Sequence, residues 1–242
     1  MGALTAAALL DAWERNLARP LPGRVLALLA AAFPEASVEE LAELPIGRRD
    51  ARLLRLREQL FGPEFTVVTQ CPACGEHVES SFCANDIRLA DEMVPDGPHS
   101  TEIDGYHATF RLPTTQDLLT LTDASMAHQA LLARCLIKAS NANGEAVMLE
   151  SVPETVIAAI AARMAAIDAQ ADIELRLTCP ACDHRWPAVF DIASSLWKEL
   201  HAWALRTLRD VHSLARSYGW SEADVLALSP TRRQVYLELS RQ

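Results

Sequence analysis

Two copies of Cys-Pro-Ala-Cys, Cys71–Cys74 and Cys179–Cys182, restrict the possible folds of this chain more than any other stretch. In each copy an apolar residue follows four places after the last cysteine, Val78 and then Trp186. Each is also preceded by a segment of strand character, FTVVTQ and IELRL. A turn of this kind aims two thiolates the same way. Proline fixes φ inside it, and the residue after the second cysteine often takes positive φ, freely at Gly75 and with tolerance at Asp183. One such knuckle supplies two ligands, whereas a structural zinc takes four in a tetrahedron. The two copies therefore read as halves of one split site, in which Cys71, Cys74, Cys179 and Cys182 hold a single structural zinc. Unmetallated thiols or a disulfide are the alternatives. CxxC pairs also serve redox chemistry, but neither pair stands at the strand-to-helix start of a βαβ unit.

The rest of the composition narrows the setting. Half of the 242 residues are apolar and only 6% aromatic, which favours helices. A net charge of −10 argues against a general nucleic-acid binder. Four of six cysteines in metal-type pairs suggest a reducing compartment. The start, MGALTAAALLDAWERN, has no basic region and meets Asp11 early, so no signal peptide is expected. The longest uncharged apolar run, Val25 to Phe33, is too short to cross a bilayer. A soluble, cytoplasmic protein with no membrane partner is expected.

Periodicity divides the chain into five parts: a helical region over 1–62, a first knuckle hairpin with strands over 63–112, a helical insertion over 113–171, a second knuckle hairpin over 172–192, and a long helix with short ones over 193–242. The fold class expected is mostly α with a small antiparallel β zinc-ribbon subdomain, α+β overall. In the first part Leu9, Trp13 and Leu17 share a face, and the Pro20/Pro22/Gly23 cluster breaks that helix. LPIGRRDARLLRLREQLFG reads as an amphipathic helix, with Arg48, Arg49, Arg52, Arg55 and Arg57 on the face away from Leu53, Leu56 and Leu60. That basic face is either solvated or a docking surface for an acidic partner. Val94 to Gly105 reads as loop, and LLTLTDASMAHQALLARCLI as two short helices after a cap at Thr114 and Asp117. Pro153 suits the first position of the next helix. From Ser194 to Gly219, Leu196, Leu200, Trp203, Thr207, Val211, Leu214 and Tyr218 form a seam, and Ser221 with Asp224 caps a short helix.

A zinc with four thiolates has no position left for water or substrate, so it would be structural and the chain not an enzyme. Zinc nucleobase deaminases combine H-x-E with P-C-x-x-C, and His77-Val78-Glu79 with the second knuckle approaches that pattern. The match fails in detail, because proline lies inside the second pair and Cys71 and Cys74 would be idle. A deaminase-like nucleotide enzyme is nevertheless kept as an alternative, beside a zinc-ribbon regulator that binds nucleic acid. Cys135 reads as a small buried hydrophobe. Cys83 or a histidine (His77, His184) could replace one ligand. There is no HExxH, phosphate-cradling loop or GxSxG motif, and no small-molecule substrate is expected.

The ordered segments LPIGRRDARLLRLREQLFGPE, CPAC, YHATFRLPTTQDLL, LTCPACDHRWPAVFDI and DVHSLARSYGWSEADVLALSPTRRQVYLEL together resemble the baseplate-type proteins of contractile phage tails and related bacterial contractile injection systems. That family is similar to the baseplate hub assembly chaperone of T-even phages. The resemblance covers nearly the whole chain. It implies a non-enzymatic structural or chaperone-like role among other baseplate and tail proteins, in the cytoplasm of the producing bacterium or within a phage-like particle. Contact residues expected are Arg48, Arg49, Tyr218, Trp220, Arg232 and Arg233.

Overall fold

The computed structural model describes residues 4–89, 97–121 and 127–240. The chain forms two compact units, one from the residues up to Val38 together with those from Ala193 on, the other from Glu39 to Ile192.

The first unit is helical. Helix α1 (Ala6–Asn16) starts at Thr5, whose hydroxyl accepts from the Ala8 N–H, and buries Leu9, Leu10 and Trp13. Helix α2 (Leu21–Ala32) carries Pro22 in its first turn, where a missing N–H costs nothing. The proline cluster thus opens α2 as well as separating it from α1. Trp13 Nε1 donates to His201 Nδ1 at 3.1 Å, and the Arg24 guanidinium lies 5.1 Å from the Trp197 ring centre. Both partners belong to α9 (Ile192–Tyr218), which begins two residues before the expected Ser194. Its buried stripe runs through Leu196, Leu200, Ala204, Thr207, Val211 and Leu214. It stops at Gly219, whose φ of +69° suits a helix C-terminus and whose N–H donates to the Ala215 carbonyl. Helix α10 (Glu222–Ala227) has the Ser221/Asp224 capping box, and α11 (Pro230–Leu239) is capped by Ser229. Val211, Leu214, Val225 and Leu237 form a core there, with Trp220 and Tyr236 against it.

The second unit holds the strands. After the short α3 (Val38–Ala42), α4 (Ile46–Phe61) is buried on several sides, with Ala51, Leu53, Leu54 and Leu56 enclosed. Strands β1 (Glu64–Gln70) and β2 (His77–Cys83) form the first hairpin, and β6 (Ile173–Thr178) with β7 (Arg185–Phe190) the second, both in unbroken antiparallel register. Between them lie α5 (Ala84–Ile87), a three-stranded antiparallel sheet of β3 (His99–Ile103), β4 (Tyr106–Phe110) and β5 (Leu136–Ser140), and helices α6 (Thr115–Leu119), α7 (Ala127–Cys135) and α8 (Glu154–Ile167). Phe110, Leu132, Cys135, Val156, Ile160 and Met164 make this insertion's core. Cys135 is a buried hydrophobe there, and burial pushes its thiol up to about 11. The composition is the mostly α, small antiparallel β arrangement expected from the sequence.

Three local expectations change. The supposed loop ending at Gly105 contains β3, because Asp104 and Gly105 both take positive φ (+50° and +77°), a two-residue turn whose twist suits a hairpin. Its residues 94–96 lie outside the described part. The supposed second helix after Thr114 ends at Cys135, and Leu136–Ser140 pairs with β4 instead, so sheet pairing overrides local helix propensity. Residues 122–126 of that stretch also lie outside the described part. Pro153 sits one place before α8 rather than in it. The Thr114 cap is as expected: Asp117 accepts from the Thr114 N–H at 2.9 Å and takes a two-point grip from Arg111 at 2.6 and 2.7 Å.

Candidate metal centre

The two knuckles repeat one hydrogen-bond pattern. In the first, the Cys71 N–H donates to the Glu76 carbonyl at 2.8 Å and the Gly75 N–H to the Cys71 carbonyl at 2.9 Å. In the second, the Cys179 N–H donates to the His184 carbonyl and the Asp183 N–H to the Cys179 carbonyl, both at 2.9 Å. Gly75 and Asp183 have φ of +79° and +57°, the positive values their positions were expected to need. A type of turn that glycine enters freely is thus held by aspartate in the second copy.

The turns bring four sulfurs together. All lie within 4.8 Å of one another, with Cys71 to Cys182 at 3.7 Å and Cys74 to Cys179 at 3.6 Å. Each close contact crosses from one hairpin to the other. A disulfide needs about 2.05 Å, so neither is one. Four sulfurs around a metal at about 2.3 Å stand about 3.8 Å apart along the edges of the tetrahedron, which fits both contacts. Cys71 and Cys179 are buried, Cys74 and Cys182 exposed. Burial raises the Cys71 thiol, but hydrogen bonds from the backbone of Cys74 and Ala73 and from the neighbouring thiols outweigh it and bring it to about 7. The backbone near His184 lowers Cys182, yet its place beside Cys74, burial and the other sulfurs push it up to about 12. Four thiols this close resist joint ionisation unless a cation compensates, and a closed metal site is what the donor set fits. Val78 and Trp186 pack on Cys71 and Cys179, which explains the apolar residue after each knuckle.

The hairpins are also joined at their opposite ends. Phe65 and Phe82, directly cross-strand in the first hairpin, stack at 5.2 Å between centres. Phe190 of the second meets both edge-on, at 5.4 and 5.3 Å. Beneath them the buried Arg57 places its guanidinium 3.9 Å from the Phe65 ring centre and donates to the Gly62 carbonyl. None of this was singled out in the sequence, although Phe65 and Phe82 sit at matched positions on either side of the knuckle.

Comparison with known families decides the class. The model of the family described as T4 bacteriophage base plate protein matches residues 24–197, well over half of the chain. The chain belongs to this family. Neither a curated protein nor a solved structure matches it. As a base plate family member the chain has a phage structural or assembly role, with other tail proteins as its partners. Among the described residues no helix is long and apolar enough to cross a membrane.

The six expected contact residues of this base plate protein are not all on its surface. Arg49 is 5% exposed and ion-paired with the equally enclosed Asp50 at 2.7 Å, so the supposed basic face of α4 is partly interior. Burial raises the Asp50 carboxyl to about 6 despite that pair. Arg48 is half-buried. In the helical unit Arg233 is only 7% exposed, on α11 one turn from the buried Leu237. Arg232 is exposed. Tyr218, also exposed, stacks on Trp220 at 4.8 Å, and Tyr236 meets Trp220 edge-on at 4.8 Å. His77 and Cys83 stand outside the sulfur group.

Proposed function

We propose that this chain is a non-enzymatic component of a contractile-tail or injection-system baseplate, acting by protein–protein binding and clasped by one structural zinc on Cys71, Cys74, Cys179 and Cys182. The convergence of the two thiol pairs in a base plate family member carries the reading. A zinc with four thiolates keeps no open coordination position, so its contribution is to folding rather than to chemistry on a substrate. Because the site requires both hairpins, metal binding adds directly to the stability of the unit that contains them. Arg48, Tyr218, Trp220 and Arg232 are the expected contact residues that remain at least partly accessible. Arg49 supports its surface from inside, paired with Asp50. The assembly role is chaperone-like if the protein leaves the finished particle and structural if it stays.

Metal analysis of the purified chain tests the zinc. One zinc per chain is expected, lost in Cys71→Ser and in Cys179→Ser alike. Retention after Cys71→Ser with loss after His77→Ala would overturn the reading in favour of a deaminase-like site. Co-expression with the tube, sheath and spike proteins of a contractile tail from the same source tests the baseplate role. Particles assembled normally without this chain would refute it.

A further inference from the structure

The helical unit contains a groove between α9 and α11 that is basic in an otherwise acidic chain. Its volume is about 810 Å³. On α9, Arg206, Arg209, Ser213 and Arg216 line it, the spacing of one helix face. On α11, Pro230, Arg233, Gln234 and Leu237 line the other wall at the same kind of spacing. Asp210 is the one carboxylate among the described lining residues. Four arginines against one aspartate stand out in a chain whose net charge is −10.

Arg233 supplies a second, independent sign. It is 7% exposed, and its Nε makes no hydrogen bond, while its Nη2 reaches the Leu228 carbonyl only at 3.5 Å. A buried guanidinium with an unmade bond is costly, and an anion on this wall would complete it. Arg206, Arg209 and Arg216 are exposed and ready for the same partner.

We propose that this groove docks an acidic segment of a partner protein, with Asp or Glu carboxylates laid along the arginines of α9 and one reaching Arg233. The inference rests on the protein-binding reading above and names that partner's chemistry. A lone phosphate would occupy little of the groove. A long polyanion would meet the repulsion of the whole acidic chain, whereas a short acidic segment meets only the local arginines. Planar guanidinium forks also match carboxylates at two points, which gives register as well as attraction.

The test uses the full chain and a short fluorescent peptide in which Glu alternates with Ala, with its Gln counterpart and an oligothymidylate of equal charge as controls. The Glu peptide binds, more weakly as salt rises, and the Gln peptide does not. Arg206→Glu with Arg209→Glu, both at exposed positions, weakens binding by about tenfold or more. Arg55→Glu, exposed on α4 of the other unit, leaves it unchanged. Equal binding by the double variant, or tighter binding of the oligothymidylate, overturns the proposal. Co-assembly with baseplate proteins is scored on the same samples. If the double variant loses the peptide and also fails to assemble, the groove's role is supported. If wild type binds the peptide but joins no baseplate complex, the functional reading fails and the groove stands.

Discussion

The two compact units enclose their interiors by different means. In the helical unit the buried stripe of α9 is nearly all aliphatic, interrupted only by Thr207. In the other unit Arg49, Asp50, Arg57, Asp117 and Asp168 are buried beside the apolar core, and four thiols meet at one point. Two-stranded hairpins bury too little to hold themselves together. Directional fasteners therefore set their positions: a sulfur cluster at the tips, three phenylalanines at the feet, and the Arg57 guanidinium against Phe65. One unit rests on apolar area, which is insensitive to metal and proton supply. With the proposed zinc on its four thiols, the other depends on both.

The largest effect that separates them is metal removal. Structural zinc sites in small peptides are worth about 10–16 kcal/mol, and a clasp shared by two hairpins should act on the same scale. On chelation, hydrogen exchange should accelerate across residues 64–83 and 173–190 while Leu196 to Leu214 stays protected. A uniform response would erase the contrast. Next, Phe65→Ala should cost about 3–5 kcal/mol in urea unfolding, close to what Leu200→Ala costs in the helical unit. Only the first should also weaken zinc binding, read by competition with a chelator.

Acidity gives the third comparison. Burial raises the Asp50 carboxyl from an ordinary 3.8 to about 6, against the pull of Arg49 and with help from Asp191 and Asp168. Between those values the folded chain holds a proton that the unfolded chain releases, so this group's contribution to stability improves as pH falls through about 6. At neutral pH its charge costs about 3 kcal/mol, and Asp50→Asn should remove that pH dependence from the melting profile. An unchanged slope in the variant would show that another group titrates. The smallest effect belongs to the helical unit: Ser221→Ala should cost about 1 kcal/mol and expose only α10 amides to exchange.

Much of the clasp was readable before the fold, because knuckle chemistry is local. Proline, two cysteines, and glycine or aspartate specify a turn within a few residues, and both turns take the expected backbone. The α9 seam was nearly as plain, since its repeat spans about six turns, but Trp203 is only half-buried, Tyr218 is exposed, and Ala204 is buried in their stead. What escaped depends on distant partners. Leu136–Ser140 is a strand only because β4 lies alongside, and Arg49 and Arg57 of α4 are interior only because of what packs over them. The Asp104-Gly105 turn was legible in principle, a strong hairpin pair hidden in a stretch rich in loop formers. The Phe190 contact with Phe65 and Phe82 had no local signal at all.

Bringing the sulfurs together turns the chain between the knuckles into a ring closed at its two turns, with β3–β5 and α8 inside it. For a flexible ring, doubling the length costs only about 0.6 kcal/mol more in closure entropy. Residues can therefore be gained or lost within the ring at little expense to the clasp. A lengthened or shortened insertion between the knuckles should therefore leave the four sulfurs able to meet.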